Sequence, residues 1–196
     1  MSTVHLTNGN WNYAEQWEII GWIGGKFPVP NASSGYHGLL KQWWDHYSAN
    51  AKDWLLVSEN NTVKDSFKEL YPNSNFTTLE YYQSYYNKNF DINCDITNRA
   101  ETDYYSELFD SIVCQATMEH LFDPVSALIN MKNMLVSGGH VYIHTNTPAF
   151  PYHAYPRDYV RFFSDWFFDA ENNIKGIQLK ELYDAHGHIF ACYQKV

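Results

Sequence analysis

From residue 53 onward, short apolar runs alternate with stretches of helical spacing, and that rhythm leaves few folds open. The runs at 54–57, 76–79, 90–94, 111–114 and 140–144 each have the length of a buried strand. After the first, Thr62 with Asp65 three residues on reads as a capping start. Val63, Phe67 and Leu70 then fall at helical spacing, and Pro72 stops the helix. Asp123-Pro124 reads as an N-cap followed by proline at the first helical position. Val125, Leu128, Ile129 and Leu135 give that helix an apolar face, and Gly138-Gly139 is its expected end. The stretches 174–182 and 188–194 read as two strands joined by a turn over 183–187. That turn has no room for a crossover helix, so as neighbours the two strands pair antiparallel. The alternation specifies an α/β fold, a mostly parallel sheet with helices on both faces and one antiparallel strand.

Residues 1–52 lack a clear period. Trp11, Trp17, Trp22, Gly24 and Gly25 give way to a loop punctuated by Pro28 and Pro30, and 39–47 has the makings of a short helix carrying Trp43 and Trp44. The chain therefore divides into an aromatic-rich N-terminal cap, 1–52, and a sheet domain, 53–196. Its 196 residues suit one sizeable core. The 7 Trp, 16 Tyr and 12 Phe suit a core, an interface or a pocket for a planar or cationic ligand. The N-terminal region is the candidate surface for oligomer formation.

A net charge of −9, with 13 scattered basic residues and no basic run, argues against nucleic acid and anionic membrane as partners. No apolar stretch approaches the length of a membrane span, and the first residues lack the regions of a signal peptide. Cys94, Cys114 and Cys192 cannot all pair, and each borders an apolar run. Reduced, buried thiols in a cytoplasmic protein are the simplest account.

In an open parallel sheet, ligands bind outside the carboxyl ends of the strands. The residues to read are then Ser58, Glu59 and Asn60 after the first strand, Glu80 and Tyr81 after the second, Asp95 and Ile96 after the third, and Gln115 after the fourth. Glu80, closing the second strand, is placed to accept hydrogen bonds from two ribose hydroxyls, or else is a solvated surface carboxylate. Asp95 is placed to accept a bond from an exocyclic adenine amine.

The stretch 109–114, Phe-Asp-Ser-Ile-Val-Cys, followed by Met118-Glu119-His120-Leu121-Phe122-Asp123-Pro124, resembles the fourth-strand signature of class I S-adenosylmethionine-dependent methyltransferases that act on small molecules. Ser137-Gly138-Gly139 fits the same pattern, as does the run Pro151-Tyr152-His153, Tyr155-Pro156, Asp158-Tyr159 and Arg161-Phe162. The resemblance covers roughly residues 53–196 and is strong over 109–162. It implies a Rossmann-like, mostly parallel seven-stranded sheet with an antiparallel last strand, and S-adenosylmethionine as cofactor. It also implies methyl transfer to a small-molecule acceptor such as a sugar, a lipid precursor or another metabolite. His120 belongs to the family's Glu-His pair, where its duty is to brace the helix beside the cofactor.

One segment departs from the family. Members carry an acid and then three alternating glycines at the first strand, where this chain has Leu56, then Ser58, Asn60 and Thr62. Glycine there adopts left-handed conformations and lets the backbone approach the cofactor. Asn60 tolerates such a conformation and the β-branched Thr62 does not. Ala116 also replaces a common glutamate. Two readings stay open: the loop binds the same cofactor in an altered way, or the protein is a catalytically inactive relative that binds an adenosine-type ligand or serves as a partner subunit.

The loop after the fifth strand supplies His153, Tyr155 and Arg161 as candidates for holding the acceptor, with His153, Asp158 and Arg161 as candidate catalytic groups. Asp158 and Arg161 alternatively pair to hold the loop. Nine histidines invite a metal reading, but no spacing completes a recognisable zinc pattern, so no metal is expected.

Overall fold

Side chains on a strand alternate between faces, and the first strand shows what this requires. In β1 (Asp53–Val57), Leu55 and Val57 enter one apolar core while Trp54 and Leu56 enter another. A strand buried on both sides needs cover on both sides. The computed structural model, which describes residues 35–81, 90–153, 157–185 and 187–196, supplies it. Calls on the oligomer surface within 1–34, and on Tyr155, lie outside the described residues.

The elements run α1 (Gly35–Tyr47), β1, α2 (Asn61–Leu70), β2 (Asn75–Glu80), β3 (Ile92–Asn93), α3 (Arg99–Thr102), β4 (Phe109–Gln115), α4 (Pro124–Met134), β5 (Leu135–Asn146), α5 (Ser164–Asn173), β6 (Ile177–Ala185) and β7 (His188–Lys195). They build one seven-stranded sheet in the order β3-β2-β1-β4-β5-β7-β6. β1 to β5 pair in parallel, and β7 inserts antiparallel between β5 and β6. One face packs Ala127, Leu128 and Met131 of α4 with Phe167 and Ala170 of α5. The other packs Leu40, Trp43 and Trp44 of α1 with Phe67 of α2 against Trp54, Val113 and Tyr142. A buried chain of hydroxyls joins α1 to the sheet: Ser111 Oγ donates to Ser48 Oγ at 2.5 Å, and Ser48 shares a 2.6 Å bond with Tyr142.

Boundaries differ from those the sequence suggests: β3 is only Ile92–Asn93 within the run at 90–94, β5 extends well beyond 140–144, and β6 begins at Ile177. Asn60, not Thr62, caps α2, its side chain accepting from Val63 N at 3.1 Å. α4 ends at Met134 and not at the glycine pair. Leu135 is already extended and pairs with Phe109, so ladder hydrogen bonding takes over from the helix there. Gly138, at φ +81°, lies inside β5 where the register with β4 shifts. A β-carbon on Gly139 would meet Asp110 O at 2.9 Å, so these glycines serve a bulge and not a helix stop. The last hairpin is also tighter than expected, with β6 continuing to Ala185.

Trp43 is fully buried in the face that α1 covers. Trp43→Ala is expected to lower unfolding stability by about 3–5 kcal/mol, read as a fall in urea midpoint at unchanged slope. Tyr104→Ala, at a residue 84% exposed, should leave the midpoint almost unmoved.

Candidate functional site

Because the parallel strands are in register, the residues that follow them emerge along one edge. Val57 lies level with Leu79 and Cys114, and Gln115 with His144. Ser58 turns the chain out of β1 at φ +58°, and its N–H donates to Leu79 O at 2.7 Å. The left-handed conformation therefore falls on Ser58, while Asn60 has an ordinary extended φ of −94°. Thr62 lies exposed within α2. Across the edge, Ala116 is also left-handed, at φ +45°, and donates to His144 O at 2.8 Å.

Glu59 folds back over this edge and accepts a 3.1 Å bond from Gln115 Nε2 at the end of β4. Burial pushes its carboxyl up to about 7; the Gln115 bond opposes that rise, and the negative charge of Glu80 adds to it. Glu80 ends β2 half-buried, and its Oε1 accepts from Tyr81 N at 2.9 Å. Tyr81 itself is exposed. After β3, Asp95 Oδ1 accepts from both Thr97 N, at 2.9 Å, and Thr97 Oγ1, at 2.7 Å. The neighbouring Ile96 is buried, and its carbonyl accepts from Asn130 of α4 at 2.9 Å. Leu56, where the family's acid would stand, is wholly buried in the aromatic core and does not face this edge.

The second half of the site is organised by Glu119, which in sequence stands out only as part of the Glu-His pair. It sits in a turn of 3-10 helix, Met118–His120, just past β4, and has no exposed surface. Its carboxylate accepts from Thr145 Oγ1 and Asn146 Nδ2 at the end of β5, both at 2.7 Å. Its carbonyl accepts from Tyr159 N and Val160 N, at 2.9 and 3.2 Å, which draws the loop after β5 back over the edge. His120 and His153 each place Nε2 3.9 Å from Glu119 Oε1.

Asp158 and Arg161 form a close bidentate ion pair within that loop. Arg161 Nη1 also donates to Val160 O at 3.0 Å and Nη2 to Pro151 O at 3.1 Å. All four Nη hydrogens are thereby directed within the loop. Burial raises the Asp158 carboxyl, but the Arg161 hydrogen bond and the backbone N–H of His153 outweigh it and hold the group below its usual range. His153 N donates to Asp158 Oδ2 at 3.0 Å, and its ring is about one-third exposed.

The sheet order and strand directions define a Rossmann-like fold of the class I methyltransferase kind. A [4+2]-cyclase, SpnF, shares it at a TM-score of 0.61 with 10% identity, over 90% of this chain and 86% of that one. A SAM-dependent methyltransferase from Archaeoglobus fulgidus aligns at 0.57 with 8% identity, over 83% and 97%. The N-methyltransferase NodS from Bradyrhizobium japonicum, solved with S-adenosyl-L-homocysteine, aligns at 0.51 with 15% identity, over 80% and 84%. No curated protein matches the chain by sequence. Residues 62–143 match the family model of a methyltransferase domain, a match that opens just after the Ser58 turn. The fold is thus that of class I methyltransferases, and residues 62–143 are similar to a methyltransferase domain.

The geometry separates three substitutions in the loop after β1. Ser58→Gly removes a left-handed side-chain strain of about 1 kcal/mol and should raise the melting temperature. Thr62→Gly places glycine inside a helix and should lower stability by a few tenths of a kcal/mol or more. Asn60→Gly, which removes the cap bond, should lower it slightly. A melting temperature for Ser58→Gly below that of the parent would contradict this assignment of the strained residue.

Proposed function

We propose that the chain transfers a methyl group from S-adenosylmethionine to a small-molecule acceptor: a sugar, a lipid precursor or another metabolite. The observation that carries this reading is the convergence of Glu59, Glu80 and Gln115 on one strand edge, with Asp95 beyond them, in a methyltransferase domain. When bound, the cofactor supplies a methyl group on a sulfonium centre. In this reading Glu80 takes the ribose hydroxyls and Asp95 the adenine amine, with Tyr81 and Ile96 beside the ring. The backbone of Ser58–Asn60 lies along the cofactor's amino-acid end. Glu59 replaces the family's missing acid as partner of the cofactor's ammonium group, three residues further along than Leu56. The domain's contribution is to hold the two reactants in line and exclude water. Arg161 and Asp158 act as positioning residues that shape the acceptor loop, His153 faces the acceptor, and Tyr155 is a further contact from that loop. The buried free thiols of Cys94, Cys114 and Cys192 support a cytoplasmic setting. Among the described residues, no helix is long and apolar enough to cross a membrane.

A second reading, a non-methylating relative that keeps the adenosine-type pocket, rests on the buried Leu56 and the left-handed Ser58. A cyclase sharing the fold illustrates that architecture does not fix the reaction. Calorimetry with S-adenosylhomocysteine, followed by turnover assays with S-adenosylmethionine, separates the two. Both readings expect binding, and only the first expects methyl transfer.

The role given to Glu59 has a definite pH signature. With its carboxyl at about 7, the free protein holds Glu59 largely protonated at pH 6 and largely ionised at pH 8. Only the ionised form attracts an ammonium group, so affinity should rise about tenfold between those values. Glu59→Gln should flatten that dependence, and Glu80→Ala should weaken binding about tenfold or more at either pH. Undiminished affinity in Glu80→Ala would remove the ribose assignment.

A further inference from the structure

Glu119 presents an electrostatic problem that its hydrogen bonds do not solve. Its carboxylate is fully buried, yet Thr145 and Asn146, the donors it accepts from, are both neutral. Among the described residues it forms no ion pair with lysine or arginine, and the groups facing it are the two imidazoles of His120 and His153. Buried carboxylates are normally paired with a cation or bound to a metal. Oε1 accepts a single hydrogen bond, from Asn146, and a carboxylate oxygen has a second lone pair to offer.

Both rings turn Nε2 towards Glu119 Oε1. His120 Nδ1 lies 2.6 Å from Arg157 O, and since a carbonyl only accepts, Nδ1 carries the hydrogen. In the neutral ring Nε2 then presents its lone pair. His153 Nδ1 lies 3.5 Å from Asp158 Oδ2 and 3.4 Å from Arg161 Nη2. Nε2 is the ring nitrogen that His153 turns to Glu119, and an ion bound there would take the Nε2 lone pair with the Nδ1 hydrogen directed towards Asp158. Two imidazole Nε2 atoms and one carboxylate oxygen therefore converge, with the His120 ring oriented from behind by the Arg157 carbonyl. That back-bonding is the arrangement that positions histidine as a metal ligand.

We propose that Glu119, His120 and His153 form a binding site for a divalent transition-metal ion of the zinc or iron(II) type. The three donor atoms all lie within 4.8 Å of one another. A tetrahedral ion with ligands at about 2.1 Å needs donors about 3.4 Å apart. The 3.9 Å separations from Glu119 thus need to close by about half an ångström on binding. A donor set of two imidazoles and one carboxylate favours such ions over calcium or magnesium, which prefer all-oxygen surroundings. His153 is partly exposed, so the remaining coordination positions open towards solvent and the acceptor loop. An ion there carries the charge that balances Glu119 and offers a Lewis-acidic position for an oxygen or nitrogen of a ligand. The sequence alone hides this set because Glu119 and His120 are adjacent while His153 lies 33 residues on, in a loop that only the fold returns to them. The inference stands on this geometry and is independent of whether methyl transfer occurs.

The full chain, stripped with a chelator, can be titrated near neutral pH with Zn²⁺ by calorimetry and with Co²⁺ by visible absorbance. The site predicts one equivalent bound, a cobalt d–d band of a four- or five-coordinate complex, and a melting temperature raised by Zn²⁺. His153→Ala should weaken Zn²⁺ binding about 100-fold or more, and Asp158→Asn, which disturbs the acceptor behind His153, about tenfold or more. If the two imidazoles merely lend Glu119 positive charge, no cobalt band forms; that result, or Zn²⁺ affinity unchanged in His153→Ala, would overturn the proposal.

Discussion

The register of the parallel ladder governs the rest of this molecule. Trp54, Leu55, Leu56 and Val57 lie level with Ser111, Ile112, Val113 and Cys114 on one side and with Phe76, Thr77, Thr78 and Leu79 on the other. A slip of one residue would exchange Leu55 and Val57 with Trp54 and Leu56 and turn each apolar set to the wrong core. The same register decides chemistry, because it delivers Ser58, Glu80 and Gln115 to one edge. Glu59 feels the charge of Glu80 and bonds Gln115 only because three strands end at one level.

From that edge a second constraint acts. Glu119 follows β4 closely, yet it bonds the end of β5 through its side chain and residues 159 and 160 through its carbonyl. Phe162 N adds a bond to Asn146 O at 3.0 Å, so the loop after β5 is secured to the sheet at both ends of this contact. The Asp158–Arg161 pair closes the loop on itself. An exposed pair of this kind would contribute little; here the Asp158 side chain is 2% exposed, and the pair also holds the Pro151 carbonyl and the His153 amide. The loop is thus a shaped surface, anchored by a buried carboxylate and a partly buried guanidinium.

Much of the architecture was legible in the chain because burial on two faces leaves a strong signature. Trp54–Val57 and the run at 111–114 read as strands because they are short and almost wholly apolar, and Asp123-Pro124 marked a helix start that the structure keeps. What failed was local. Gly138-Gly139 looks like a helix stop in one dimension, but the ladder claims Leu135 first and uses the glycines for a bulge. Asn60 outcompetes Thr62 as cap because its side-chain Oδ1 accepts from Val63 N. The left-handed turn after β1 falls on Ser58, where no preference of that residue announces it. Strand-end acids could be picked out by position alone, whereas Glu119 could not be recognised as a hub. Its partners Asn146, Val160 and His153 lie 27, 41 and 34 residues away.

The central claim is that one edge of the sheet, at the ends of β1 to β4, is where S-adenosyl ligands bind. Amide chemical-shift mapping of isotope-labelled protein during titration with S-adenosylhomocysteine addresses it directly. The account predicts that saturable shifts cluster at Ser58–Asn60, Glu80–Tyr81, Asp95–Ile96 and Gln115, with the opposite edge of the sheet, at Asp53, Asn75 and Gly139, silent. Saturable shifts centred on that opposite edge, or none at any ligand concentration, would contradict it.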